Sequence, residues 1–128
     1  QWVEASTSNP DIKLLLENPV TPATVGVTVV AVPASVSPDR FARENVQSLE
    51  SSPRVHGPIV LDRVTLPAGN ALEVSFRFTS SGIEKAAHEY FILKTGAAYG
   101  VLFLSLPQDS KGLSATFEEI IKSFRITS

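Results

Sequence analysis

The sequence predicts an α+β domain, an antiparallel β-sheet covered by two helices. Three observations carry this. Leu113, Phe117, Ile120, Ile121 and Phe124 recur at helical spacing along one stripe, and Glu118, Glu119 and Lys122 fall on the opposite side. Leu72-Glu-Val74-Ser-Phe76-Arg-Phe78-Thr79 alternates apolar with polar, the signature of a strand with one buried face. The connections between Leu72 and Leu106 are short, so the strands there form an antiparallel meander.

The elements follow in chain order. Trp2-Val3-Glu4-Ala5 reads as a short first strand, closed by the turn chemistry of Ser6 to Pro10. Ile12 to Glu17 has strand length. Asn18-Pro19 and Thr21-Pro22 interrupt it, because proline lacks a backbone donor and restricts its neighbour. Val25-Gly-Val27-Thr-Val29-Val30-Ala31-Val32 is β-branched and near-alternating, a strand that Pro33 ends.

Ser37-Pro38-Asp39 opens a helix over Ser37–Ser51. Ser37 supplies the cap, Pro38 suits the first turn, and Asp39 complements the positive end of the helix dipole. Phe41, Ala42, Val46 and Leu49 share its apolar face. Val55 to Leu66 holds one or two strands around Pro58, then Pro67-Ala-Gly69-Asn70 turns the chain. The alternating strand from Leu72 follows, with a turn at Ser80-Ser81-Gly82. Lys85 to Thr95 and Ala98 to Leu106 are the last strands, joined at Gly96; the second is apolar on both faces. Pro107 to Gly112 reads as a polar loop with Ser114 as cap, and the final helix spans Leu113–Phe124. Arg125-Ile126-Thr127 is a short tail.

A chain of 128 residues is read as a single domain over 1–128. The formal net charge of −2 and the scattered Lys and Arg argue against nucleic-acid binding. The chain has no Cys, which removes disulfides, thiolate metal sites and cysteine nucleophiles. No apolar run reaches membrane-spanning length. The chain begins at Gln1 and has no Met, so the expectation is a processed product whose upstream segment carried a signal or lipid anchor.

Three stretches resemble the Mog1/PsbP-like family. They are Trp2-Val3-Glu4 followed by a strand opened at Pro10-Asp11, the Leu66-Pro-Ala-Gly-Asn-Ala71 turn before the alternating strand, and the ending Phe117-x-x-Ile120-Ile121-x-Ser123-Phe124. The resemblance spans nearly the whole chain in element order. It implies an antiparallel sheet sandwiched by helices, α/β/α. It also implies a non-catalytic accessory or partner-binding domain, with the exported bacterial lipoprotein branch fitting best. The implied location is extracytoplasmic or membrane-anchored, and the implied partner is another protein. The alternative is a small-ligand binder with a cleft between sheet and helix.

The side chains support no sharper chemistry. His56 and His88 have no Gly-x-Ser-x-Gly elbow to serve, and both read as surface or sheet-face histidines. Glu84 and His88 would share an ion on a helix, but on a strand they stand roughly 13 Å apart. His88 shares a sheet face with Tyr90, and two residues make no metal site. Lys111-Gly112-Leu113-Ser114 is not a phosphate cradle. The seven Phe residues and Trp2 read as packing. Arg40, Arg43, Glu44, Gln47 and Glu50 read as a solvated helix face, with Arg40 pairing Glu44. No catalytic, metal or cofactor residue is assigned, no cofactor is expected, and the sequence singles out no binding residue.

Overall fold

The structure, a computed structural model, describes residues 2–10, 12–94 and 96–126. The readings placed on Asp11, Thr95 and Thr127 lie outside the described residues. Strands β1 (Val3–Glu4), β2 (Ile12–Asn18) and β3 (Ala23–Ala31) come first, then helix α1 (Pro38–Glu50). Strands β4 (Val55–Leu66), β5 (Gly69–Ser80), β6 (Ile83–Lys94) and β7 (Ala97–Ser105) follow, and helix α2 (Pro107–Ser123) closes the chain. All seven strands join one sheet in the order β1-β2-β3-β7-β6-β5-β4. Every pairing is antiparallel.

The local chemistry accounts for the joints. Asn18 Oδ1 accepts from the amides of Val20 (3.0 Å) and Thr21 (3.1 Å), an Asx turn between β2 and β3. Ser37 Oγ accepts from the Arg40 amide at 3.1 Å, with Pro38 at the start of α1. Arg40 donates to Glu44 at 3.0 Å on the exposed side. The Val55–Leu66 segment is a single strand. Its register shifts between His56 and Val60, and Gly57 takes φ +76° there. Pro58 lies within that bulge on an edge strand, where its missing amide costs no ladder bond.

The sheet has two covered faces. On one, α2 rests Phe117 and Ile121 on Ala23, Val25, Val101 and Phe103, with Trp2, Leu113, Ile120 and Phe124 packed around them. Phe103 is fully buried, and its ring centroid lies 4.6 Å from that of Phe117. Trp2 meets Phe117 at 6.4 Å, so its large apolar ring is used in packing. On the other face Phe41 of α1 meets Phe91 edge-on at 5.1 Å. Asp39 of α1 pairs with Arg63 of β4.

One boundary departs from the sequence reading. Residues 107–112 are not a loop: α2 starts at Pro107, six positions before Leu113. Proline's fixed φ suits a first helical turn, and Asp109 complements the dipole there. Ser114 is therefore not the cap. It sits inside the helix, and its hydroxyl donates to the Lys111 carbonyl at 2.9 Å. Leu106 holds the cap position without a side-chain bond. These early turns escape an apolar-period reading because Gln108, Lys111 and Gly112 face solvent. No helix among the described residues is long and apolar enough to cross a membrane.

Candidate functional site

His88 sits on β6, in register with Ser75 of β5 and Phe103 of β7. The alternation of β6 turns it to the α2 side. Its Nδ1 lies 2.9 Å from Ser75 Oγ, and its Nε2 lies 3.3 Å from Ser110 Oγ. A neutral imidazole satisfies both, donating through one nitrogen and accepting through the other. Ser110 belongs to the first turns of α2, so this chain of three side chains ties the start of the helix to the sheet.

Tyr90 lies two residues on, on the same face. Its hydroxyl donates to Glu73 Oε2 at 3.0 Å. Burial, then the neighbouring Glu73 carboxylate, then Glu118 hold the phenol well above its ordinary pKa. Glu118 donates nothing but accepts from Lys122 at 2.7 Å, which lowers its carboxyl pKa.

These groups floor a trough. One wall is α2, through Ser110, Ser114, Phe117 and Ile121, and the other is edge strand β4, through Val64 and Leu66. The deeper part encloses about 350 Å³. A second hollow of about 210 Å³ shares His88 and Ser110 and continues toward Pro58, Val60 and Pro107. The trough exists because α2 packs over β6 and β7 and leaves the β4–β5 half of this face uncovered.

The polar groups of the trough are engaged with one another. Among the described residues, His88 touches two hydroxyls and no carboxylate. Glu73 is bonded to Tyr90, and Glu89 points to the opposite face of the sheet, as the alternation of β6 requires. A serine with an imidazole but no orienting acid lacks the third member of a hydrolytic triad. His56 bonds Thr79 Oγ1 at 2.9 Å on the exposed end of β4, apart from His88. Glu84 takes its contact from Arg77 at 3.4 Å, so it and His88 share a sheet face without meeting. Among the described residues, no group of three or more His, Asp or Glu converges as a metal site would.

Sequence reasoning placed His88 and Tyr90 on a common face, which the structure has. It missed Ser75, Ser110 and Glu73 as their partners. The signal available was the polar half of the β5 alternation, Glu73-x-Ser75-x-Arg77, which projects toward the α2 side.

No protein-family model matches the chain, and no curated protein matches it by sequence. Solved structures do match. Cyanobacterial PsbP (CyanoP) of Synechocystis superposes with a TM-score of 0.73 at 8% identity, over 98% of this chain and 82% of that one. The fold is Mog1/PsbP-like. LpqN of Mycobacterium tuberculosis, described as involved in cell envelope biogenesis, has a TM-score of 0.70 at 15% identity over 99% of this chain and 79% of that one. PA94 of Pseudomonas aeruginosa, of unknown function, gives 0.65 at 13% identity over 100% of this chain and 83% of that one. At these identities the likeness is one of fold. The Mog1/PsbP-like architecture is compatible with an accessory domain, and none of these three is described as an enzyme.

Proposed function

We propose that this chain is a non-catalytic accessory domain of an exported bacterial protein, and that it holds a segment of a partner protein in the trough between α2 and β4. The observation that carries this reading is the composition of the trough. Its walls offer Val60, Val64 and Leu66, backed by the buried Phe117 and Ile121, whereas its polar side chains are tied up in hydrogen bonds. Apolar walls with internally paired polar groups suit an extended, largely apolar chain better than a charged substrate. Val60 adds exposed apolar surface on this face of β4, at 49% exposure. The fold likeness to LpqN, described as involved in cell envelope biogenesis, supports an extracytoplasmic setting. Attachment to a membrane would come only through an upstream anchor, and nucleic acid is not a partner in this reading.

A photo-cross-linking residue at position 64 tests it, with position 30 on the opposite sheet face as control. Cross-linking is carried out in the membrane fraction of the source organism. A stoichiometric protein adduct from position 64 and none from position 30 is the expected result. Equal labelling from both positions would sink the trough as the docking site.

A second reading is a small-ligand site in the same cleft, favoured by the convergence of Ser75, His88 and Ser110 at its floor. Native mass spectrometry of the purified chain separates the two. A co-purifying small mass lost on Val64→Asp supports the ligand.

A further inference from the structure

On the α2 side of the sheet, β4 turns every second residue toward the trough. Val60 stands opposite Ser75 of β5, Asp62 opposite Glu73, and Val64 opposite Ala71. Val60 and Val64 line the hollows, and Glu73 lies on the floor between them. Asp62 is therefore an exposed carboxylate in the middle of an apolar wall, and its cross-strand neighbour is a second carboxylate. Directly opposite side chains of an antiparallel pair have Cβ atoms about 4.5–5.5 Å apart, and like charges there repel.

No cation among the described residues answers this pair. Asp62 makes no hydrogen bond or ion pair among them, and Glu73 accepts only the Tyr90 hydroxyl, through Oε2 at 3.0 Å. The cations of this face are engaged elsewhere or lie far off. Lys122 bonds Glu118 on the α2 wall at 2.7 Å, and Arg77 meets Glu84 at 3.4 Å. Lys94 is four residues along β6 from Tyr90, roughly 13 Å away. Arg63 follows Asp62 in the chain but points to the other face, where it pairs with Asp39.

We propose, building on the reading of the trough as a partner-binding groove, that the segment it holds carries a Lys or Arg side chain between Asp62 and Glu73. Apolar side chains two residues to either side of that cation rest on Val60 and Val64. The spacing supplies the pattern. Val60 and Val64 are four strand residues apart, about 13 Å, with Asp62 midway. An extended segment has the same rise per residue, so a basic residue at Asp62 brings its second neighbours over the two valines. An apolar–x–basic–x–apolar segment thus meets each position of the wall with its complement. A segment with an acid at the centre would add a third negative charge and be rejected. The repulsion between Asp62 and Glu73 weakens the free chain, and the partner's cation relieves it.

Synthetic peptides and the isotope-labelled intact chain test this by NMR titration at low salt. The probe is acetyl-Thr-Val-Thr-Lys-Thr-Val-Thr-amide, beside the same peptide with Gln or Glu in place of Lys. The lysine peptide should shift the amide signals of residues 60–66 and 73–75 and bind roughly tenfold tighter than the glutamate peptide, an advantage that shrinks as salt rises. Asp62→Asn should weaken the lysine peptide about 3- to 5-fold and leave the glutamine peptide unchanged. The same variant, relieved of repulsion, should unfold at a higher urea concentration than the parent, which also shows that it folds. Equal binding of the three peptides in the trough, or lysine-peptide binding untouched by Asp62→Asn, would overturn the charge recognition and leave the groove reading standing. Absence of trough shifts with the lysine peptide at millimolar concentration would also overturn it, and the adduct from position 64 then decides whether the groove reading falls as well. A lower urea midpoint for Asp62→Asn would show that the chain itself already compensates the pair, against the proposal.

Discussion

Gly100 of β7 lies directly opposite Phe91 of β6, and the side chain it lacks leaves room for the Phe91 ring. A Cβ at position 100 would stand 3.5 Å from that ring and 2.6 Å from Thr28 Oγ1. The latter separation is too short for any real Cβ contact. Phe91 in turn is the ring on which Phe41 of α1 seats. A missing methyl in the middle of the sheet is thus linked to the docking of a helix. Gly100→Ala should destabilise the domain by about 1–3 kcal/mol through overpacking, despite alanine's better fit to a strand. Urea unfolding of both proteins checks it. An unchanged midpoint would mean that Thr28 swings aside freely and Phe91 need not move.

The opposite face gives a larger expected loss. Phe117 is 5% exposed and touches both Phe103 and Trp2. Phe117→Ala should cost about 3–5 kcal/mol, the range for removing a core aromatic. A cost under about 1 kcal/mol would make α2 a peripheral element. Phe124 is only half-buried, at the very end of α2, and its truncation should cost less than that of Phe117.

What could be read from the chain and what could not divide along a physical line. The stripe Leu113 to Phe124 and the β5 alternation were legible because burial imposes a period on neighbouring residues. Ser37 and Pro38 were legible because capping is local. Pro58 left the β4 region ambiguous, since a proline reads as a break unless a bulge on an edge absorbs it. The first turns of α2 carry no apolar period, so they read as a loop. The Ser110–His88 contact joins residues 22 apart, and no local pattern marks such a pair. Glu89 was equally silent. Between His88 and Tyr90 it looks like the wet half of an alternation, and only the arrival of α1 makes its face an inside one.

The same carboxyl gives the domain a pH profile. Burial raises its folded pKa to about 7, above the model-peptide value of 4.5, so the folded chain binds the extra proton between those values. Stability from this group is greatest at or below about pH 4.5 and declines as pH rises toward and past 7. The full decline is about 3.5 kcal/mol at most, since each unit of difference is worth about 1.4 kcal/mol. Urea midpoints at pH 5 and pH 8 should therefore differ, with the acidic sample more stable, and Glu89→Gln should flatten the difference. A wild-type midpoint that rises over this range would contradict the assignment.

The hairpin between β5 and β6 offers a stabilising change. Ser81 and Gly82 form its two central positions, with φ of +52° and +78°. Two positive values mark the turn type whose twist matches that of the flanking strands. Glycine meets the requirement at position 82, but serine does not favour the left-handed region at 81. Asparagine adopts it more readily, because its short amide bonds the local backbone. Ser81→Asn should therefore raise stability by about 0.4–1 kcal/mol, and Gly82→Ala should lower it by more than that. Thermal melts of the two variants beside the parent decide it. If Ser81→Asn melts lower, Ser81 makes a contact in the turn that outweighs its backbone strain.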